Sequence, residues 1–124
     1  MYKILVINPG STSTKFAVFH DEKLVFQQTL RHSGEELKPF PTIASQYEFR
    51  KEVLLNCLTE NQIPLDFDII VGRGGILKPL DSGVYAITET MKAELLSAKY
   101  GEHACNLGGL IASNLANSIG CQAI

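Results

Sequence analysis

The chain has 124 residues, 45% of them hydrophobic and 19% charged, with a net charge of −2; that is enough apolar material for one ordinary core, and it excludes a disordered chain. No run of like charges offers a footprint for nucleic acid or an anionic membrane, and no apolar stretch approaches the length of a membrane span. The N-terminus enters a strand pattern directly, without the features of a signal peptide, so a cytoplasmic protein is expected.

Tyr2 to Ile7 and Phe16 to Phe19 are short apolar runs rich in β-branched and aromatic residues and read as strands. The segment between them, Asn8-Pro9-Gly10-Ser11-Thr12-Ser13-Thr14-Lys15, is the most informative in the chain. Gly10 admits close approach of backbone to an anion, turn amides can converge on it, four hydroxyls can donate, and Lys15 adds charge. It is not a P-loop, which requires two glycines flanking four residues and leads into a helix rather than a strand. The same composition also suits a plain polar hairpin turn. Alternation along an extended loop sends neighbouring side chains to opposite sides, so only one set of hydroxyls lines a site.

Asp21-Glu22-Lys23 is a turn, and Leu24 to Leu30 a third strand that completes an antiparallel meander. Ser45-Gln46-Tyr47-Glu48 fits a capping box, and Phe49, Val53, Leu54, Cys57 and Leu58 follow at helical spacing, which predicts a helix from about Ser45 to Glu60. Phe67 to Val71 is a nearly continuous apolar run, as in a strand covered on both faces, and it ends in Gly72-Arg73-Gly74-Gly75. Val84 to Ile87 reads as a further short strand, and Thr88 caps a helix through Ala98 with Gly101 beyond it. Leu107, Leu110, Ile111, Leu115 and Ile119 define a last helix, capped by Asn106 and stopped by Gly120. Cys121 to Ile124 begins another strand, and a sequence that reaches Ile124 just there leads us to expect a truncated protein.

Arg73 lies between glycines at the end of a buried strand, where open α/β sheets meet ligands, and its planar guanidinium suits a carboxylate or phosphoryl group bidentately. The bland alternative is an exposed loop arginine. The glycines around it are read as shaping the backbone. Cys57, Cys105 and Cys121 are widely separated and read as buried reduced thiols, and His20 and His32 as solvated or structural.

Four segments in order resemble the acetate and butyrate kinase family, and butyrate kinases most closely: Ile7 to Lys15, Leu30-Arg31-His32-Ser33, Val71 to Gly75 with Lys78-Pro79, and Glu102-His103-Ala104-Cys105-Asn106-Leu107-Gly108. The resemblance implies an α/β fold of the ribonuclease H-like, actin-like ATPase type, a mixed sheet of three antiparallel strands followed by parallel strands and flanked by helices. It makes residues 1–124 the N-terminal domain of a two-domain kinase that uses ATP and Mg2+ to phosphorylate a short-chain carboxylate, and it implies a homo-oligomer for the full-length protein. In the family a catalytic acid, a second phosphate loop and the adenosine pocket follow the strand that begins here at Cys121. Carried onto this sequence, Gly10, Ser11, Ser13 and Lys15 contact the terminal phosphates, Asn8 supports the metal region indirectly, Arg73 contacts carboxylate and transferring phosphoryl group, and His103 lies near the carboxylate. For His103 a capping or packing role is as good a reading, and for Lys15 a solvated strand-edge position. Sugar kinases, polyphosphate-processing phosphatases and nucleotide-dependent assembly proteins open with a similar strand, loop and strand, and stand as the alternatives.

Overall fold

Leu5 and Ile7 on β1 (Lys3–Pro9) and Phe16 and Val18 on β2 (Ser13–His20) are buried, while their neighbours in sequence are half-exposed or exposed. That alternation turns one face of the hairpin toward a core and leaves the other open. β3 (Lys23–Arg31) pairs antiparallel with β2, with a bulge between Val18 and Phe19, and β4 (Ile69–Gly72) pairs parallel with β1. β5 (Gln122–Ala123) extends β4 in parallel, giving a five-stranded sheet in the order β3-β2-β1-β4-β5. The computed structural model describes residues 1–124. This is the expected mixed sheet of an antiparallel meander followed by parallel strands.

Two long helices cover the buried face. α2 (Tyr47–Glu60) contributes Leu54, Cys57 and Leu58, and α4 (Asn106–Ile119) contributes Leu107, Ile111, Ala112, Leu115 and Ala116, to a core shared with Phe67 and Ile70. α3 (Glu89–Ser97) packs on α4 and is capped as expected: the Thr88 hydroxyl accepts from the Met91 amide at 3.2 Å. Gly120 adopts a left-handed conformation, φ +76°, and ends α4. No helix is long and apolar enough to cross a membrane.

Three expectations need correction. The polar loop is shorter than its composition suggests, because Asn8 and Pro9 stay in register with Lys15 and Thr14 and only Gly10–Thr12 lie outside the strands. Ser45 makes no capping box; it sits in a 3-10 turn (Ala44–Gln46), where its hydroxyl donates to the Thr42 carbonyl at 2.6 Å. The capping box is instead Ser33 with Glu36, which opens the short α1 (Gly34–Leu37). Val84–Ile87 forms no strand; a single bond from the Ile87 amide to the Ala123 carbonyl, 3.2 Å, ties it beside β5, and Val84 itself is 79% exposed.

Gly72 and Gly108 let the end of β4 touch the first turn of α4. A Cβ on Gly72 would meet the carbonyl carbon and oxygen of Gly108 at 2.5 Å, both backbone atoms that cannot swing aside. A Cβ on Gly74, two residues on, would meet nothing within 4 Å. Gly72→Ala is therefore expected to cost about 2 kcal/mol or more, since overpacking a tight contact forces a backbone shift, while Gly74→Ala leaves stability unchanged. Urea denaturation of the two variants checks this, and equal midpoints would contradict it.

Candidate active site

Arg50, at the start of α2, has no exposed surface, yet none of the ion pairs in the protein includes it. Its partners are neutral. Nη1 donates to the carbonyls of Gly10 and Ser13, each at 2.7 Å, and to Thr14 Oγ1 at 3.3 Å; Nη2 donates to the Ser11 carbonyl at 3.0 Å, and Nε to Gln46 Oε1 at 3.0 Å. Burial lowers the guanidinium pKa, the expected sign for a cation held out of water. The remaining loop carbonyl, that of Thr12, accepts from the His32 amide at 2.8 Å. Every carbonyl from Gly10 to Ser13 is thus engaged from within the protein, whereas no backbone carbonyl accepts from the amides of Ser11 and Thr12.

The open side of this loop borders a cavity of about 350 Å³ lined by Asn8, Pro9, Gly10, Ser13, Lys15, Thr29, Arg73, Gly74, His103 and Cys105. Strand register explains the grouping. Asn8 pairs with Lys15 and Lys15 with Thr29, so the three stand in a row across β1, β2 and β3 on the open face, with Ser13 two residues before Lys15 on the same side. Arg73 reaches the row from the end of β4: its amide continues the ladder onto the Ile7 carbonyl at 2.9 Å, and its Nη1 approaches Asn8 Oδ1 at 3.4 Å. His103 closes the cavity from the segment before α4. The Cys105 amide donates to His103 Nδ1 at 3.1 Å, which leaves the proton of the neutral ring on Nε2. The lining therefore presents two fixed cations and several hydroxyl and imidazole donors without a single carboxylate, the composition of an anion site.

Across the Gly72–Gly75 loop lies a second, mostly apolar cavity of about 180 Å³, walled by Val71, Leu77, Val84, Tyr85, Ile87, Met91 and Leu95 and sharing Arg73 and Gly74 with the first. Buried Asn106 sets this loop: its Oδ1 accepts from the Ile76 amide at 2.7 Å and its amide nitrogen donates to the Gly101 carbonyl at 2.9 Å. Asn106 is accordingly a clasp between loops; the helix cap position belongs to Cys105, which makes no side-chain cap bond. A larger groove of about 550 Å³ between α2, α3 and α4 lies away from these groups, and its one lysine on α3, Lys92, is paired with Glu89 at 2.7 Å.

Asn8, Gly10, Ser13, Lys15, Arg73 and His103, all read from the sequence, line the carboxylate-free cavity beside the loop. Ser11 does not; it sits exposed at the tip of the turn, where it can present its amide but its side chain lies outside the lining. Thr14 points the other way, into the core, where its hydroxyl meets His32 Nε2 at 2.8 Å. Lys15 is on an interior strand rather than at a sheet edge. Arg73 is exposed, as a loop arginine would be, yet it lines both cavities. His32 is buried against Phe49 and structural; His20 stands at the end of β2. Of the cysteines only Cys57 is buried, Cys105 and Cys121 are half-buried, and all three are free; burial pushes the Cys105 thiol up, with its own backbone amide and Arg73 pulling the other way. Gly72 and Gly75 shape the backbone through close contacts, but Gly74 stands in open space. The sequence alone does not single out Arg50, Thr29 or Cys105 as site residues; for Thr29 the meander register is the available signal.

No three His, Cys, Asp or Glu side chains are placed together to hold a metal ion. The cavity's oxygen donors are the neutral groups of Asn8, Ser13 and Thr29 beside two cations, a poor set for Mg2+, which favours carboxylate and phosphate oxygen. Asn8 Oδ1 is turned to Arg73 instead.

The fold and site define a mixed α/β domain with a cationic, carboxylate-free cavity at the carboxyl ends of β1 and β4. Two solved structures share the fold: YeaZ from Pseudomonas aeruginosa, with a TM-score of 0.53, 12% identity and coverage of all of this chain and 43% of its own, and acetate kinase from Entamoeba histolytica, with a TM-score of 0.50, 15% identity and coverage of 98% and 33%. No protein-family model matches the chain. The particular likeness is to butyrate kinases. Butyrate kinase 1 of Clostridium acetobutylicum is 48% identical over 99% of this chain and 35% of its own length, and a probable butyrate kinase of Phocaeicola vulgatus is 53% identical over 98% and 34%. The resemblance carried by the four motifs is thus borne out along the whole chain, which spans about a third of the length of these curated relatives.

The buried His32 imidazole lends a pH dependence to the loop's support. Burial first, and the nearby Arg50 charge second, lower its pKa, against a smaller pull upward from Glu36. The unfolded chain takes up that proton near pH 6.5 while the native state resists it, so stability is fully present above about pH 6.5 and declines as the pH falls below it. Denaturation midpoints measured from pH 7.5 down to 5.5 should fall for the parent chain and fall less for His32→Gln; parallel slopes would contradict this assignment.

Proposed function

We propose that this chain is the N-terminal domain of a butyrate kinase, transferring the terminal phosphoryl group of ATP to butyrate or a related short-chain carboxylate and catalysing the reverse reaction. The observation that supports it best is Arg73, shared between an acid-free polar cavity suited to phosphate and an apolar cavity suited to a short aliphatic tail. Phosphoryl transfer asks the protein mainly for positioning and charge stabilisation. In this reading Ser13, Lys15 and the Gly10–Thr12 backbone hold the terminal phosphates, and the Arg73 guanidinium orients the carboxylate and then the phosphoryl group in transit. A carboxylate oxygen forms the new bond to phosphorus, the bond to the ADP oxygen breaks, and ADP leaves with that electron pair. Asn8, through Arg73, holds the guanidinium in place, and His103 Nε2–H offers a donor beside the acceptor carboxylate. Mg2+ would be held by the phosphates of its nucleotide rather than by this lining, whose oxygen donors are neutral, and would supply charge neutralisation there. The adenosine pocket and catalytic acid belong to residues outside 1–124, and in the full-length protein the chain works within a cytoplasmic homo-oligomer.

The full-length product of the coding sequence, supplied with ATP, Mg2+ and butyrate, is expected to form an acyl phosphate that hydroxylamine traps as a hydroxamate. Arg73→Lys should reduce kcat by about 100-fold, the scale of losing one preorganised donor to developing charge. The absence of any acyl phosphate with short-chain acids would overturn the reading. Residues 1–124 alone should show no turnover and bind ATP only weakly, through its phosphates and no more tightly than inorganic tripolyphosphate, by calorimetry; tight ATP binding would contradict the division of the site.

A further inference from the structure

We propose that Arg50 is the positioning residue of the phosphate loop, aiming the loop's amides at the anion and supplying an unneutralised charge from behind it; this rests on reading the cavity beside Ser13 and Arg73 as a phosphate site. All peptide bonds in the chain are trans, so each carbonyl points away from the N–H of the residue that follows it. Arg50 holds the Gly10 and Ser11 carbonyls on its own side of the loop, at 2.7 and 3.0 Å. The amides of Ser11 and Thr12 must then face the opposite side, and neither donates to a backbone carbonyl. The third bond, to the Ser13 carbonyl at 2.7 Å, closes the clamp where β2 begins.

The arrangement is better suited to binding an anion than to stability alone. A buried guanidinium without a carboxylate is costly, and a core built only to be stable would put an apolar residue there or pair the charge. A polyphosphate bound in front of the loop supplies the missing counter-charge across a thin layer of backbone, where screening by water is weak. The planar fork matters as well as the charge, because a lysine ammonium cannot span three carbonyls, a hydroxyl and the Gln46 side chain at once.

The test titrates the 124-residue chain with inorganic tripolyphosphate, by calorimetry and by amide NMR. The parent chain should bind, with the Ser11 and Thr12 amide signals shifting. Arg50→Lys should bind about tenfold more weakly, as expected when a charge remains but a preorganised set of donors is lost. In Arg50→Ala the affinity should recover partly with added guanidinium chloride and not with an equal concentration of sodium chloride, a rescue that a purely structural role does not predict. An Arg50→Lys chain that folds and binds as tightly as the parent, with the same amide shifts, overturns this proposal and leaves the phosphate site standing. Failure of the parent chain to bind overturns the phosphate-site reading and this proposal with it. If neither variant folds, the parent titration decides: shifts at Ser11 and Thr12 support the clamp, and shifts at Lys15 and Arg73 without them overturn it.

Discussion

The rest of the site depends on one buried guanidinium. Arg50 reaches from α2 under the β1–β2 turn and holds three of its carbonyls, which converts a short polar hairpin into a loop of fixed shape. The turn has few other means of holding that shape. Its own cross-turn bond runs from the Gly10 amide to the Ser13 carbonyl at 2.7 Å, and the remaining support comes from the His32 amide and the His32–Thr14 contact. Helix, meander and loop are therefore one hydrogen-bonded unit, and displacement of α2 disturbs the anion cavity even though none of its residues lines that cavity.

The second support is steric. Arg73 can serve two cavities only because the strand before it ends against the first turn of α4 at a Gly72–Gly108 contact, and because Asn106 clasps the loop beyond. This places a polar cavity on one side of the Arg73 backbone and an apolar one on the other. A short aliphatic carboxylate has the same division, one charged end and one apolar end, and the geometry suits it better than a polyhydroxylated acceptor, which would leave its hydroxyls against Val84, Ile87 and Leu95.

Much of this was legible in the sequence where local chemistry and tertiary structure agree. The three meander strands, the Thr88 cap, the glycine stop after α4 and the Arg73 loop follow from alternation, side-chain capping and backbone freedom, and the motif resemblance gathered Asn8, Ser13, Lys15 and His103 before any contact was known. The misses share a cause. Ser45 looked like a capping residue and Asn106 like a cap because both are good at either task, and only the neighbouring loops decide which bonds they make. Val84–Ile87 has strand composition but lies beside a β5 of two residues, too short an edge to pair with. Arg50 was invisible because an arginine on an amphipathic helix usually faces water, and no pattern within α2 announces that its partners are carbonyls some forty residues earlier.

The clamp itself can be observed without altering the protein. The chain has three arginines, Arg31, Arg50 and Arg73, of which the first and last are exposed and serve as internal references. Nitrogen-15 NMR of the guanidinium groups measures whether each rotates and exchanges its hydrogens with water. Arg50 should show separate, slowly exchanging Nη–H signals while Arg31 and Arg73 show averaged ones; averaged, rapidly exchanging signals from Arg50 would mean that the loop is not held from behind, and would contradict the account.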